Sequence, residues 1–322
     1  MTGVDDPARH GDAFPRKLAC MTPSHTDLPS GTPAEPFISA RELFEASTRG
    51  EPVTVLDSDW EWGENAAWNL YVTRHIPGSF FCDPGTMLSG SPSAEAGRNP
   101  LPNRHVLQRY VDDWGIRPGQ PVRIYDRGGL LYAARAWWVL RWAGVTDVRI
   151  LDGGTPAWLA AGGDIAAGIG CLRGRGTFEI LAGGAPTMPT ATLDEVREIS
   201  ASAAGGAAAP LLVDTRPADR FEGLRERLDR RAGHIPGAIS VPVGDLLDGG
   251  RVPSPEVVRE RLAAHGITGD DVAAEAVVYS GSGVSSALFI ALMEHAGLPV
   301  ARHYVGGWSQ WASDRSRPVA LG

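Results

Sequence analysis

The chain repeats one pattern of residues twice along its 322 residues. The tetrapeptide His-Ile-Pro-Gly occurs at 75–78 and again at 234–237, and the motif Gly-Gly-x-x-x-Trp occurs at 153–158 and at 306–311. Each landmark of the second copy follows its counterpart by 151 to 159 residues. An offset that holds over the whole length indicates a duplicated domain, because unrelated segments would not keep their order and spacing.

Each copy has the pattern of alternating strands and helices. A capping box opens each copy, Ser39 with Glu42 and Thr192 with Glu195, and predicts the start of a helix. Short apolar runs predict strands, and longer segments between them predict helices. The predicted strands are 53–57, 121–125, 211–214 and 276–279, and the predicted helices are 103–114, 133–143, 254–265 and 286–295. We therefore predict an α/β fold of two tandem domains, each a mostly parallel sheet with helices on both faces.

The repeat also predicts the domain limits. The first domain is predicted at 36–160 and the second at 191–322. Residues 161–190 contain several glycine-rich stretches and are predicted to be a linker. Residues 1–35 are rich in Pro, Gly, Asp, Ser and Thr without a period, and are predicted to be a disordered tail.

Composition narrows the range of partners. Lys and Arg total 30 against 38 for Asp and Glu, and the net charge of −8 argues against nucleic acid or an anionic membrane as the main partner. Lys17 is the only lysine, so arginine carries nearly all positive charge, which suits binding of oxyanions. The three cysteines predict neither a zinc site nor a disulfide framework. No long apolar run or secretory signal is found, and we expect a cytoplasmic protein.

The loop after the strand 276–279 is the strongest candidate for a functional site. It reads Ser280-Gly-Ser-Gly-Val-Ser285 and leads into a helix. Ligands of parallel sheets bind at the carboxyl ends of strands, where backbone N–H groups in such a turn form a cradle for an anion. The matching loop of the first copy begins with Asp126, whose carboxylate would repel an anion. A plain Gly-Ser connector is the alternative interpretation.

These motifs together resemble the tandem-domain rhodaneses, the thiosulfate and 3-mercaptopyruvate sulfurtransferases. The resemblance covers about residues 37–320. In that family the first domain is catalytically silent, and the second carries a loop that opens with a nucleophilic Cys, written Cys-Gly-Ser-Gly-Val-Thr/Ser in the mercaptopyruvate branch. Ser280 stands at the nucleophile position and the other five positions match. The neutral Gly281 and Ser282 favour the mercaptopyruvate branch, because a thiosulfate-type loop is basic after the nucleophile.

The resemblance implies a catalytic relay beside the nucleophile position. Ser282 would be hydrogen-bonded towards His75 of the first domain, with Glu64 as a third member. The recurrence of the same tetrapeptide at His234 is equally consistent with a structural role for His75.

The resemblance also implies a substrate-binding set. Arg220 would bind the donor together with Arg227, and Arg225 is the alternative because this segment is two residues shorter than the family pattern. A further alternative is a solvated, charged helix face formed by Arg225, Arg227, Arg230 and Arg231. The loop residues that would contact the donor are Gly281, Gly283, Val284 and Ser285.

Serine at position 280 changes what the loop can do. The family's Cys takes up sulfane sulfur as a persulfide, which requires an accessible thiolate. A serine hydroxyl is a much weaker acid and a poor nucleophile towards sulfur, so Ser280 is not expected to carry sulfur. Cys82 is interpreted as a buried apolar residue rather than a relocated nucleophile. An introduced substitution and a natural serine are both compatible with the sequence.

Two functions follow from the resemblance. The first is transfer of sulfane sulfur from a small anionic donor, 3-mercaptopyruvate or thiosulfate, to a thiol or cyanide acceptor, with no cofactor or metal and with turnover opposed by Ser280. The second is a catalytically inactive module that binds small anions or a protein partner. Phosphatase chemistry is excluded, because no Cys stands at 280 and Ser286 occupies the position of the phosphate-binding Arg.

Overall fold

The structure is a computed structural model that describes residues 35–182, 184 and 186–322, so the predicted tail lies almost entirely outside the described residues. The first copy contains β1 (Phe37–Ile38), α1 (Ala40–Thr48), β2 (Thr54–Asp57), α2 (Ala66–Thr73), β3 (Phe80–Phe81), α3 (Arg104–Asp113), β4 (Val122–Tyr125), α4 (Leu131–Trp142), β5 (Val148–Leu151) and α5 (Gly154–Ala160). The second contains α6 (Leu193–Ala204), β6 (Leu212–Asp214), α7 (Ala218–Phe221), β7 (Ala238–Ser240), α8 (Pro255–Ala264), α9 (Asp270–Glu275), β8 (Val277–Tyr279), α10 (Ser285–His295), β9 (Arg302–Tyr304) and α11 (Gly307–Trp311).

The two sheets are parallel and have the same topology. The first has the strand order β1-β5-β4-β2-β3 and the second β7-β6-β8-β9. All strand pairs within the described residues are parallel. A parallel bridge between Thr190 and His303 lies beside β9 where β1 lies beside β5. The α/β class and the duplication predicted from the sequence are confirmed.

Both predicted capping boxes are present. The Ser39 hydroxyl accepts from the Glu42 N–H at 3.2 Å, and the Glu42 carboxylate accepts from the Ser39 N–H at 3.0 Å. Thr192 and Glu195 make the same pair of bonds at 3.3 and 2.7 Å. Because each box fixes the first turn of its helix, α1 and α6 begin at equivalent points of the two copies.

The two copies meet through two helices that are buried along most of their length. α4 and α10 pack against each other and are buried along almost their whole length in one core that draws residues from both copies. An ion pair of 2.9 Å between Arg141 and Glu294 joins them. Within the described residues no helix is long and apolar enough to cross a membrane. Since α10 begins at the candidate loop, this packing brings side chains of the first copy to that loop.

The predicted linker is packed against the first copy. Ala166 pairs with His75 in an antiparallel bridge, with N–H to carbonyl distances of 2.9 Å in both directions. The side chains of Ile180 and Met188 are buried in the main core. These described residues of 161–190 therefore add to the first copy's surface and core.

Candidate active site

The candidate loop lies between β8 and α10 and is supported from below by the second Gly-Gly-x-x-x-Trp motif. The Ser280 carbonyl accepts from the Trp308 N–H at 2.8 Å, and the Gly281 carbonyl accepts from the Ser309 N–H at 2.9 Å. Gly307 has φ of +55°, and a Cβ there would lie 2.3 Å from the Ser280 carbonyl oxygen. Only glycine fits this position, so the motif allows the backbone to approach and support the loop.

The loop amides form an open set of hydrogen-bond donors. The Gly283 N–H donates to the Ser280 hydroxyl at 3.0 Å. The N–H groups of Gly281, Ser282, Val284 and Ser285 have no acceptor within the described residues. Donors gathered in a turn at the N-terminus of an 11-residue helix constitute an anion-binding arrangement.

Ser280 sits at the start of the loop and is almost fully buried. Its hydroxyl oxygen lies 3.0 Å from the Ser286 hydroxyl oxygen, and that oxygen lies 2.7 Å from His303 Nε2. Ser286 and His303 are completely buried. Sequence reasoning did not identify this chain of polar side chains, although a histidine in the centre of a short buried strand was a signal for it.

Two arginines lie over the loop. A Cβ on Gly281 would be 2.9 Å from Arg98 Nη2 and 3.4 Å from Arg220 Nη1. The structure therefore brings the predicted Arg220 to the loop. Arg98 comes from the first copy, where its backbone N–H donates to the Ser309 hydroxyl at 3.0 Å. Sequence reasoning missed Arg98, because it lies outside the repeated motifs.

Two buried carboxylates pair with these arginines. Arg220 Nη2 lies 2.8 Å from Glu226 Oε2 and 3.2 Å from Asp229 Oδ2, and Arg98 forms an ion pair with Asp229. Burial acts to raise the pKa of Glu226, but the hydrogen bonds from Arg220 and from backbone amides outweigh it, and the net pKa is lowered. The two guanidinium groups over the loop are thus already engaged by carboxylates, so a ligand would share or replace these partners.

Arg135 supplies positive charge that has no such partner. It extends from α4 and is fully buried. Its guanidinium donates to the carbonyls of Leu88 at 3.2 Å, Asn99 at 3.0 Å and Gly283 at 3.5 Å. No carboxylate lies within ion-pair distance of it in the described part of the chain, and burial lowers its pKa to about 10. A cation held beside the loop without a counterion favours a bound anion.

The other predicted arginines lie farther out. Arg227 is exposed, and no hydrogen bond or ion pair of its guanidinium is found within residues 35–182, 184 and 186–322. Arg225 is exposed and pairs with Asp219 at 2.8 Å. Neither guanidinium makes a hydrogen bond or ion pair with the loop among the described residues, and a substrate-binding role for Arg227 stays a prediction.

His75 has the surroundings of a structural residue. Its Nδ1 lies 2.9 Å from the Tyr71 carbonyl, and its ring stacks on the Tyr71 ring with centroids 4.4 Å apart. His234 repeats both contacts with Phe221, at 2.9 Å and 3.6 Å. No hydrogen bond joins His75 to Ser282 among the described residues. The relay implied by the resemblance stays a prediction.

The remaining residues predicted from the sequence lie in the loop, at the start of α10 or in the core. Ser282 is buried in the loop, and the Ser285 hydroxyl lies 2.9 Å from Thr215 Oγ1. Val284 directly precedes α10. Cys82 is completely buried in the core, and burial raises the pKa of its thiol well above the ordinary value. It has the apolar environment that the sequence suggested.

In the first copy, the equivalent loop binds its own carboxylate. Asp126 accepts from the N–H groups of Gly128 at 2.8 Å, Leu130 at 3.0 Å and Ala133 at 3.4 Å. Burial raises the pKa of the Asp126 carboxyl, and these amide hydrogen bonds act against that rise. The loop after β4 thus shows that this turn can enclose an oxyanion.

Comparison with known proteins defines the family. The rhodanese-like domain matches residues 39–161 and again 195–314, which together make up most of the chain. The chain belongs to the rhodanese family, with two tandem rhodanese domains. This agrees with the two parallel sheets and with the position of the candidate loop after β8.

Relatives in this family are named as sulfurtransferases. A Mycobacterium tuberculosis protein named "Putative thiosulfate sulfurtransferase SseB" is 39% identical over 291 residues, covering 89% of this chain and 97% of that protein. A Pseudomonas aeruginosa protein named "Probable 3-mercaptopyruvate sulfurtransferase" is 39% identical over 256 residues, 79% of this chain and 86% of that protein. The crystal structure of SseA from Escherichia coli, described with the 3-mercaptopyruvate sulfotransferases, matches with a TM-score of 0.70 at 26% identity, covering 85% of this chain and 98% of that one.

Proposed function

We propose that the loop 280–285 binds a small anionic sulfur donor, 3-mercaptopyruvate or thiosulfate, and that the chain with Ser280 holds this donor without transferring its sulfur. The observation that carries the proposal is the group of four loop amides that have no acceptor within the described residues. They lie beside the guanidinium of Arg135, which has no carboxylate partner there. The amides offer donors to an anion, and the Arg135 guanidinium, bonded to the Gly283 carbonyl, adds positive charge behind the loop.

Position 280 decides whether binding can lead to sulfur transfer. The family reaction forms a persulfide on a thiolate, and a thiol reaches that state near neutral pH. Ser280 offers a hydroxyl, which keeps its proton under the same conditions and is a poor nucleophile towards sulfur. Transfer to a thiol or cyanide acceptor would therefore need Cys at this position.

The donor class follows from the charges over the loop. Arg98 is paired with the Asp229 carboxylate and Arg220 with the Glu226 carboxylate. Both guanidinium groups are therefore oriented so that they bind a carboxylate. The neutral Gly281 favours 3-mercaptopyruvate over thiosulfate. The carboxylate of 3-mercaptopyruvate would pair with one of these guanidinium groups. Two relatives of equal identity have names for different donors, so overall similarity does not select one. We also propose a cytoplasmic location, where acceptor thiols stay reduced.

The proposal predicts a gain of activity on Ser280→Cys. We expect the chain as written to release no sulfide from 3-mercaptopyruvate with a thiol acceptor, and no thiocyanate from thiosulfate with cyanide. Ser280→Cys should form a persulfide and turn over, because the donors that stabilise a thiolate are retained around position 280. Sulfide release and mass spectrometry of the intact protein measure the two effects.

Ser280→Ala is the matched control, since it removes the hydroxyl without adding a thiol and should stay inactive. Turnover by the chain as written that survives replacement of Cys20, Cys82 and Cys171 would contradict the assigned role of position 280. A folded Ser280→Cys protein that forms no persulfide with excess donor would contradict the donor site itself.

A further inference from the structure

Ser280, Ser286 and His303 form a buried chain of polar groups behind the loop. The Ser280 and Ser286 hydroxyl oxygens are 3.0 Å apart, and Ser286 Oγ lies 2.7 Å from His303 Nε2. Ser286 is on α10 and His303 is on β9, so both lie outside the six-residue loop. The distances allow two opposite directions of hydrogen bonding, and the surroundings of His303 decide between them.

His303 Nδ1 is buried and has no hydrogen-bond partner within the described residues. An orphaned buried N–H is rarer in proteins than an orphaned acceptor, so the proton of a neutral ring belongs on Nε2. Burial and the nearby Arg135 guanidinium hold the pKa of His303 well below its usual range, so the ring is neutral near pH 7. The His303 ring stands nearly perpendicular to the Trp138 ring, with centroids 4.5 Å apart, in a fully buried site.

The direction of each hydrogen bond follows from that tautomer. His303 Nε2–H donates to the Ser286 hydroxyl oxygen. The Ser286 proton then donates to the Ser280 oxygen, which also accepts from the Gly283 N–H at 3.0 Å. With both acceptor sites of its oxygen filled, Ser280 must direct its own proton elsewhere. The group left free on Ser280 is then its own O–H, which lies at the start of the loop whose amides have no acceptor among the described residues.

We propose that Ser286 and His303 are positioning residues that turn the Ser280 hydroxyl into a donor towards the bound anion. Position 280 then joins the amides of Gly281, Ser282, Val284 and Ser285 in a cradle made only of donors. This inference rests on the proposed anion site at the loop, and it adds two side chains that the loop motif does not contain. In a variant with Cys at position 280, the Ser286 hydroxyl and the Gly283 N–H would donate to the thiolate and stabilise it.

The tautomer of His303 in the unmodified protein is the first test. Nitrogen-15 NMR of the imidazole ring distinguishes an Nε2–H from an Nδ1–H tautomer, and His303→Gln identifies the signals. The proposal expects the Nε2–H tautomer, neutral at pH 7. An Nδ1–H tautomer would overturn it, because His303 would then accept from Ser286 and the Ser280 proton would point away from the cradle.

The thiol pKa of Ser280→Cys is the second test, measured by the pH dependence of thiolate absorbance and of alkylation by iodoacetamide. We expect a pKa below the ordinary value of about 8.5 for cysteine. Adding Ser286→Ala should raise it by about one unit, which is the scale of one hydrogen bond to a charged group. His303→Leu should raise it as well, whereas His303→Gln, which keeps an N–H donor at similar reach, should largely preserve it.

Thr215→Val is the matched control, because it removes another buried hydroxyl that contacts Ser285 but not residue 280. Its thiol pKa should equal that of Ser280→Cys alone. Equal pKa values with and without Ser286→Ala would overturn the proposal, as would an equal shift from Thr215→Val. Calorimetric titration of the unmodified protein with thiosulfate tests the anion site separately: absence of binding would contradict the proposed function, while the thiol pKa still reports on the roles of Ser286 and His303.

Discussion

The loops after β4 and β8 occupy equivalent places in the two copies, and they differ in what their amides bind. After β4, the Asp126 carboxylate accepts from three N–H groups of its own loop. After β8, Ser280 is too short and carries no charge, and its hydroxyl meets only the Gly283 N–H of the loop. One side chain thus separates a loop that encloses its own anion from a loop that is open to a ligand.

The surrounding charges reinforce this difference. Beside the first loop, burial raises the pKa of Asp57 to about 7 and that of Asp59 to about 6, and neighbouring carboxylates add to both rises. Beside the second loop stand Arg98, Arg135 and Arg220. Arg127 beside the first loop is paired with Asp59, whereas the Arg135 guanidinium beside the second loop has no carboxylate partner among the described residues, so the second loop is the one that favours an anion.

Ser280→Asp should have the largest effect, because it makes the second loop resemble the first. The new carboxylate would accept from the loop amides and exclude a ligand anion. We expect thiosulfate and pyruvate affinity to fall by about 100-fold or more, the scale of losing several charge-assisted hydrogen bonds. Isothermal titration calorimetry measures the loss.

Ser280→Asn is the matched neutral control and should keep most of the affinity. Asp126→Ser is the mirror variant: it should lower the stability of the protein by about 1–3 kcal/mol, since buried amides lose their acceptor. It should gain no anion affinity, because Asp57 and Asp59 remain. Unchanged binding in Ser280→Asp would mean that the amides are not the anion site.

Replacing the arginines should have the next largest effect. Arg220→Ala should weaken anion binding by about 1.5–3 kcal/mol, the scale of a hydrogen bond to a charged group, and Arg98→Ala should weaken it to a similar or smaller extent. Arg227→Ala should weaken anion binding less, and Arg230→Ala, at an exposed position, should leave it nearly unchanged. Calorimetry on the four variants gives the ranking. Equal affinities for all four would remove the arginines from the site.

Asp57→Asn should have the smallest effect, on stability alone. The pKa of Asp57 is about 7 in the folded protein and near 3.8 when unfolded, so this carboxyl favours folding only while protonated. Stability should therefore fall as pH rises from about 4 through 7. Asp57→Asn should remove this decline and stabilise the protein by about 1–2 kcal/mol above pH 7, or a few degrees in melting temperature. Thermal unfolding between pH 4 and 8 tests this; an unchanged slope would contradict a buried, titrating Asp57.

Local patterns in the sequence predicted the fold well, because they depend on neighbouring residues. The capping boxes at Ser39 and Thr192 and the parallel sheets follow from patterns repeated in each copy. The loop at 280–285 was found in the same way. The position of Arg220 beside the loop was found through the family motif.

The features that sequence reasoning missed arise from contacts between distant elements. Arg98 and Arg135 reach the loop only because the first copy docks on the second through α4 and α10. His303 meets Ser286 because β9 lies next to β8 under the start of α10. The prediction of Arg227 depends on its spacing from the His-Ile-Pro-Gly motif at 234–237, but the segment between them is irregular, so the spacing does not fix where the side chain lies.

The loop amides themselves provide the most direct measurement. In a titration with thiosulfate or pyruvate, nitrogen-15 correlation spectra report each backbone N–H separately. If the amides of the loop after β8 bind the anion, the signals of Gly281, Ser282, Val284 and Ser285 should shift and saturate. The amides of Gly128 and Leu130 should not shift, because they already donate to Asp126. Shifts confined to exposed arginine-rich surface, or equal shifts at both loops, would contradict it.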